Sequence, residues 1–268
     1  MNTPTRPNAA PSRIAKVGLL AVRVHESSSD MAADAAALAR QHLCDALKTR
    51  ATARVIFACA TSQIQFLAAL AAQPGIDWSR VTVFHMDEYL GIGADHPASF
   101  RRFLREHLVQ RVHPGCVHYL KGDALEPIAE ALRYADILQE SPIDVCCLGV
   151  GENGHIAFND PAVANFTDPL QVKMVKLDEI SRQQQVGEGC FPNLESVPQY
   201  ALTLTIPALC AARQMICIVP ERRKAQAIRM ALGGPVTTAC PASFLRQQSH
   251  ATLCLDAEAA SEVDWSAV

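Results

Sequence analysis

The chain has 268 residues, 49% of them hydrophobic and 19% charged, and a formal net charge of −3. This balance suits a globular protein with a large buried core and offers no basic footprint for a nucleic-acid partner. No apolar run approaches the roughly 20 residues of a membrane span, and the N-terminal MNTPTRPNAAPSR has no apolar signal-peptide centre, so the expectation is a cytoplasmic protein that engages no membrane.

Residues 1–14 read as a loose Pro-rich tail and 15–268 as one domain, in which short apolar runs alternate with amphipathic or Ala-rich stretches. KVGLLAV (16–22) precedes the helical DMAADAAALARQHLCDALKT, and RVIFACA (54–60) precedes SQIQFLAALAAQ. RVTVFHM (80–86) leads to PASFRRFLREHLVQRV, whose Pro97 suits a first helical turn. LEPIAEALRYADILQ comes before DVCCLGV (144–150), and QVKMVKL (171–177) and YALTLTI (200–206) read as further strands. QMICIVP (214–220), helical ERRKAQAIRMAL and ATLCLD (251–256) complete the series. Runs apolar on both faces and separated by helices predict an α/β fold with a doubly wound, mainly parallel sheet and helices on both faces. The ten cysteines lie mostly inside these runs, with no CxxC and no Cys/His pair at zinc spacing. Buried reduced thiols are expected, with no metal site.

Ligands of an open parallel sheet bind beyond the carboxyl ends of its strands. Four polar positions follow predicted strands: Thr61-Ser62, Asp87-Glu88, Asn153 with His155, and Lys224. The third lies in LGVGENGHIAFND, whose Gly149, Gly151 and Gly154 spell G-x-G-x-x-G. A dinucleotide site needs a helix running on from the third glycine and an acidic residue about 20 positions later. Here Pro161 blocks such a helix, so the fold is Rossmann-like without a dinucleotide site. The glycines, Gly151 among them, instead let backbone approach a ligand while His155 faces it. Histidine donates and accepts protons near neutral pH, and Asp160 is placed to orient it; the plainer alternative is a loop histidine bonded to backbone. Asp87 and Glu88 end a buried strand, where an unpaired carboxylate is costly. A desolvated carboxylate there suits abstraction of a proton α to a carbonyl, and helix capping is the alternative. Thr61, Ser62 and the following helix N-terminus can receive an anion, with Lys224 adding a point charge, or they serve as cap and solvated lysine.

As a set, these motifs are similar to those of the glucosamine-6-phosphate deaminase (isomerase) family. VTVFHMDEYLGIGADHPASFRRFLREH resembles its Met-Asp-Glu-Tyr segment, LGVGENGHIAFNDP its Gly-His loop, and VPQYALTLTIPALCAARQMICIVPERRKAQAI its later strand and lysine-bearing helix. The similarity runs from about residue 30 to residue 256. The related 6-phosphogluconolactonases share the fold and a Gly-His loop, but the Ile-Ala-Phe-Asn continuation places this chain nearer the deaminases. The resemblance implies that His155 assists sugar-ring opening, that Asp87 carries the C2 proton to C1, and that loss of the amine yields ammonia and fructose 6-phosphate. It assigns Lys224 to a phosphosugar substrate's phosphate and requires no metal or organic cofactor. Asn153 stands where the family has Asp, and Asp160 where it has Glu. ACATSQ lacks the family's glycines, and the usual arginine is replaced by a displaced Arg182 or by Gln183 to Gln185. Lactone hydrolysis with His155 as general base, and a non-catalytic sugar-phosphate sensor, are the competing readings. A homo-oligomer is compatible with the sequence.

Overall fold

Gly18 breaks the first predicted strand in two. With φ at +62° it turns the chain back, so β1 (Arg13–Val17) and β2 (Leu20–His25) form an antiparallel hairpin in place of one strand over 16–22. A Cβ at Gly18 would also lie 2.7 Å from the Arg246 carbonyl oxygen, so the turn is held to glycine by both its conformation and its neighbour. The computed structural model describes residues 10–267. β1 therefore begins inside the stretch expected to be tail, and residues 1–9 of that stretch lie outside the described residues.

The later strands are β3 (Ala53–Phe57), β4 (Val81–His85), β5 (Asp87–Tyr89), β6 (Cys116–His118), β7 (Val145–Leu148), β8 (Val172–Lys176), β9 (Tyr200–Leu204), β10 (Gln214–Val219) and β11 (Ala251–Asp256). Eight strands form the main sheet in the order β1-β2-β11-β10-β7-β3-β4-β6, parallel throughout except at the β1–β2 hairpin. The helices are α1 (Ser28–Thr49), α2 (Ile64–Ala71), α3 (Phe100–Leu104), α4 (Gln110–Val112), α5 (Pro127–Gln139), α6 (Glu179–Gly187), α7 (Ile206–Cys210) and α8 (Ala225–Gly233). The predicted helix over 97–112 is α3 and α4 joined by a π-helical segment, Arg105–Val109.

Side-chain alternation along the central strands builds two cores. Val55 and Phe57 of β3 pack with Ala39, Leu43, Phe66 and Leu67 of α1 and α2, while Ile56 packs with Tyr134 and Leu138 of α5 on the opposite face. β10 repeats the pattern, with Ile216 and Ile218 on the first face and Met215, Cys217 and Val219 on the second. Both faces are covered, so these strands are apolar at every position except Arg54 of β3 and the first residue of β10, Gln214. Each buried Leu, Ile or Phe contributes about 1.5–3 kcal/mol. All ten cysteines are free thiols, and six of them are buried as small hydrophobes.

QVKMVKL and YALTLTI are strands, but they lie outside the main sheet. β8 and β9 are antiparallel and join β5 in a separate three-stranded sheet, order β5-β9-β8. Along β8 only Val172 and Val175 are buried; three residues apart, they point to opposite faces and join the two different cores. This small sheet carries Asp87, opposite Thr203 of β9, into its place. The three-residue edge strand β6 is too short and too exposed to leave an apolar run, which is why the sequence reading does not contain it.

Candidate active site

A cleft opens where β3, β4, β7 and β10 end. Its walls are Ala58 to Ala60 with Ser62 and Gln63, Met86 with Asp87, Gly149 to Gly151 with His155, and Lys224. This is the carboxyl edge of four neighbouring parallel strands, where an open α/β sheet binds its ligands. Gln184 and Gln185 of α6 close another side.

The loop after β7 shows what its three glycines serve. A Cβ at Gly151 would collide with the imidazole of His155, so the ring lies directly on the Gly151 backbone. Gly154 has φ at +83°, and a Cβ there would meet Cys240 Sγ at 2.7 Å. Gly149 faces Gln63 Nε2 more loosely, at 3.1 Å from an added Cβ. The glycines therefore seat a histidine and turn the chain. Asn159 then ties the loop down, donating from Nδ2 to the carbonyls of Ile156 at 2.9 Å and Leu204 at 2.8 Å.

His155 is anchored through Nδ1, which lies 2.8 Å from Asn153 Oδ1, 3.0 Å from Ser181 Oγ and 3.1 Å from Asp160 Oδ1. Asp160 Oδ1 also accepts from Asn153 Nδ2 at 3.1 Å and from the Ser181 hydroxyl, and its Oδ2 accepts from the Asp178 N–H at 3.2 Å. Burial pushes the Asp160 carboxyl up, but His155, Ser181 and Asn153 overcome that and hold it down to about 2. A depressed carboxyl stabilises the fold above its ordinary value of 3.8, and that stability is lost as pH falls through about 2. Thermal scans are expected to show a loss of about 2 kcal/mol between those pH values, absent in Asp160→Asn.

Asp87 and Glu88 take separate roles. Glu88 is fully buried and accepts from Ser99 Oγ at 2.8 Å and from the N–H groups of Phe100 at 3.1 Å and Arg101 at 3.0 Å. It caps α3 and does not line the cleft, so the capping alternative describes this half of the pair. Asp87 lines the cleft, and its carboxyl makes no hydrogen bond or ion pair among the described residues. Burial, then the charge of Glu88, holds that carboxyl well above the ordinary aspartate range. The Asp87 backbone is fixed by His85, whose Nδ1 lies 2.8 Å from the Asp87 carbonyl oxygen. His85 Nε2 accepts from the Leu120 N–H at 2.9 Å, so Nδ1 is the donor. Burial drives the His85 pKa down to about 3 and keeps the ring neutral.

Lys224 is 2% exposed, lines the cleft, and has no side-chain partner among the described residues. Burial lowers its pKa to about 8. A buried cation facing an open cleft without a partner suits an anionic ligand. Lys224→Met is expected to weaken binding of an anionic ligand in the cleft about tenfold to 100-fold. Its unfolding temperature at pH 7 is expected to hold or rise, because the buried cation costs stability at every pH below about 8.

Two expected site residues lie elsewhere. Thr61 does not line the cleft; its hydroxyl donates to Glu188 Oε2 at 3.0 Å. Arg182 donates to the carbonyls of Leu194 at 2.5 Å and Val197 at 3.1 Å, pinning the segment after α6 away from the cleft. The structure brings Ser62, Asp87, Gly151, His155 and Lys224 to the cleft, with Asn153 and Asp160 behind the histidine. Asp178, Ser181 and Gln63 were not singled out by sequence reasoning. For Asp178 and Ser181 the available signal is the D-x-x-S helix start, in which Asp178 caps α6 by accepting from the Ser181 N–H.

Residues 26–254 match the family described as glucosamine-6-phosphate isomerases/6-phosphogluconolactonase. The chain belongs to that family. It is 37% identical over 188 residues to a glucosamine-6-phosphate deaminase of Exiguobacterium sibiricum, covering 69% of this chain and 72% of the relative. With a glucosamine-6-phosphate deaminase of an Arthrobacter species it shares 34% identity over 200 residues, covering 74% and 75%. A solved monomeric glucosamine-6-phosphate deaminase superposes with a TM-score of 0.82 at 27% identity, covering 90% of this chain and 99% of the other. A 6-phosphogluconolactonase from Shewanella baltica superposes with a TM-score of 0.74 at 22% identity, covering 90% and 98%, a likeness of fold. Among the described residues no group of three or more His, Cys, Asp or Glu is placed to hold a metal ion, and no helix is long and apolar enough to cross a membrane.

Proposed function

We propose that this protein is an amino-sugar phosphate deaminase that converts glucosamine 6-phosphate, or a close analogue, to fructose 6-phosphate and ammonia. One observation carries the reading: a desolvated Asp87 carboxyl, without a hydrogen-bond or ion-pair partner among the described residues, lines the same cleft as His155 and Lys224. Lys224, with Ser62 beside it, takes the phosphate. His155 moves the proton that opens the sugar ring. Asp87 removes the C2 proton of the open-chain aldose and returns it to C1 through an enolic intermediate, and the resulting C2 imine is hydrolysed to the ketose and ammonia. Placed side chains perform each proton transfer, so the route calls for no cofactor. Deaminase relatives at 34–37% identity support the assignment. A phosphorylated, membrane-impermeant substrate goes with a cytoplasmic location.

Lactone hydrolysis needs no base at C2, so Asp87 favours deamination. A sensor would need neither proton-transfer group, and both are built into the cleft. A coupled assay decides among the three: glucosamine 6-phosphate should give ammonia and fructose 6-phosphate in equal amounts. Hydrolysis of 6-phosphogluconolactone with no ammonia from any hexosamine 6-phosphate would overturn the reading.

A further inference from the structure

The three oxygens around His155 Nδ1 can only accept from the ring. Asn153 Oδ1 carries no hydrogen, Asp160 is ionised, and the Ser181 hydroxyl hydrogen is committed to Asp160. Nδ1 therefore carries the ring hydrogen, which leaves Nε2 as the basic atom. This arrangement requires the Asn153 amide to keep its oxygen toward His155. Its orientation is set from behind: Nδ2 donates to Asp160 Oδ1 at 3.1 Å and to Asp178 Oδ2 at 3.0 Å. Asp178 is itself fixed as the cap of α6, with Oδ1 accepting from the Ser181 N–H at 2.8 Å and its own N–H donating to Asp160.

We propose that Asp178 and Ser181, acting through Asn153 and Asp160, are positioning residues that set the tautomer of His155, in place of the aspartate that the family resemblance leads one to expect at position 153. The change at that position then has a physical reason. An aspartate there would set a third carboxylate against Asp160 and Asp178, and carboxylates about 3 Å apart cannot all ionise. Restoring the family residue should therefore harm this protein. Asn153→Asp is expected to lower kcat at least tenfold with little change in KM. Adding Asp178→Asn, which still caps α6 and offers the introduced carboxylate an amide donor, is expected to recover about tenfold of that loss. Ser181→Ala should lower kcat while leaving KM within about threefold. A merely structural role would raise KM instead, because α6 carries Gln184 and Gln185 into the cleft.

The kinetic arm rests on the deaminase reading, but the tautomer does not, so the two fail separately. In protein with 15N-labelled histidine, the His155 signal, identified by its loss in His155→Gln, should be that of an Nδ1–H imidazole in the neutral ring. Asn153→Asp, in which one of the three carboxyls must hold a proton that it can donate to Nδ1, should turn it into a mixture of tautomers. Three results each overturn the proposal: an Nε2–H ring in wild type, an Asn153→Asp protein as active as wild type, or a double variant no better than Asn153→Asp alone. Absence of ammonia release by wild type would instead sink the deaminase reading and leave the spectra to decide this one.

Discussion

Asp87→Asn is expected to lower kcat by about 10³-fold, within the 10²–10⁴ that a general base contributes, with KM changed less than about threefold. The substitution keeps the shape of the side chain and removes only its ability to take a proton. No hydrogen bond is lost, because the carboxyl makes none among the described residues. Stability should move the other way. Burial raises the carboxyl's pKa in the fold, so ionisation costs stability as pH climbs above the ordinary aspartate value of 3.8. Asparagine carries no such cost, and the unfolding temperature at pH 7 should stay level or rise, as at other sites where function is kept at the expense of stability. Ammonia release and a thermal scan on the same preparation check both halves. A kcat within tenfold of wild type would remove Asp87 from the chemistry.

Gly151→Ala is the second large effect. The added methyl would overlap the imidazole of His155, so the ring must leave its place, and with it the Nδ1 contacts to Asn153, Ser181 and Asp160. Overpacking of this kind costs about 1–3 kcal/mol, and a displaced acid/base group costs about 10²-fold or more in kcat. Gly149→Ala is the control, since its methyl meets the end of a glutamine side chain at 3.1 Å and the Ile218 carbonyl oxygen at an ordinary contact distance of 3.6 Å, and kcat should stay within about threefold. If both variants behave alike, the ring does not depend on its seat against Gly151.

The central strands were legible because burial on both faces leaves β3, β4, β7 and β10 with no polar alternation to confuse the reading. The β1–β2 hairpin was hidden by the same property: Gly18 sits between apolar neighbours, and only its backbone turn separates two strands. Asp87, His155 and Lys224 could be found because each follows a strand end of the main sheet. Asp87 and Glu88 could not be told apart, since their difference lies in the α3 N-terminus that reaches back to Glu88. The second support for His155 comes from α6, which only the tertiary fold brings near. Its buried face is Ser181, Gln184 and Gln185, at i, i+3 and i+4, and Arg182 points off that stripe. Charge drew attention to Arg182, whereas helical spacing selects the other three.

The proposed chemistry turns on one event: this cleft moves a proton off C2 before the amine leaves. Glucosamine 6-phosphate carrying deuterium at C2 puts that event to the test. Every ammonia released should come with a 2-ketose, the deuterium having passed to water or to C1, and turnover should slow with the heavier isotope. An aldose product that keeps its deuterium at C2 while ammonia is released would mean direct displacement of the amine, and would contradict the role given to Asp87.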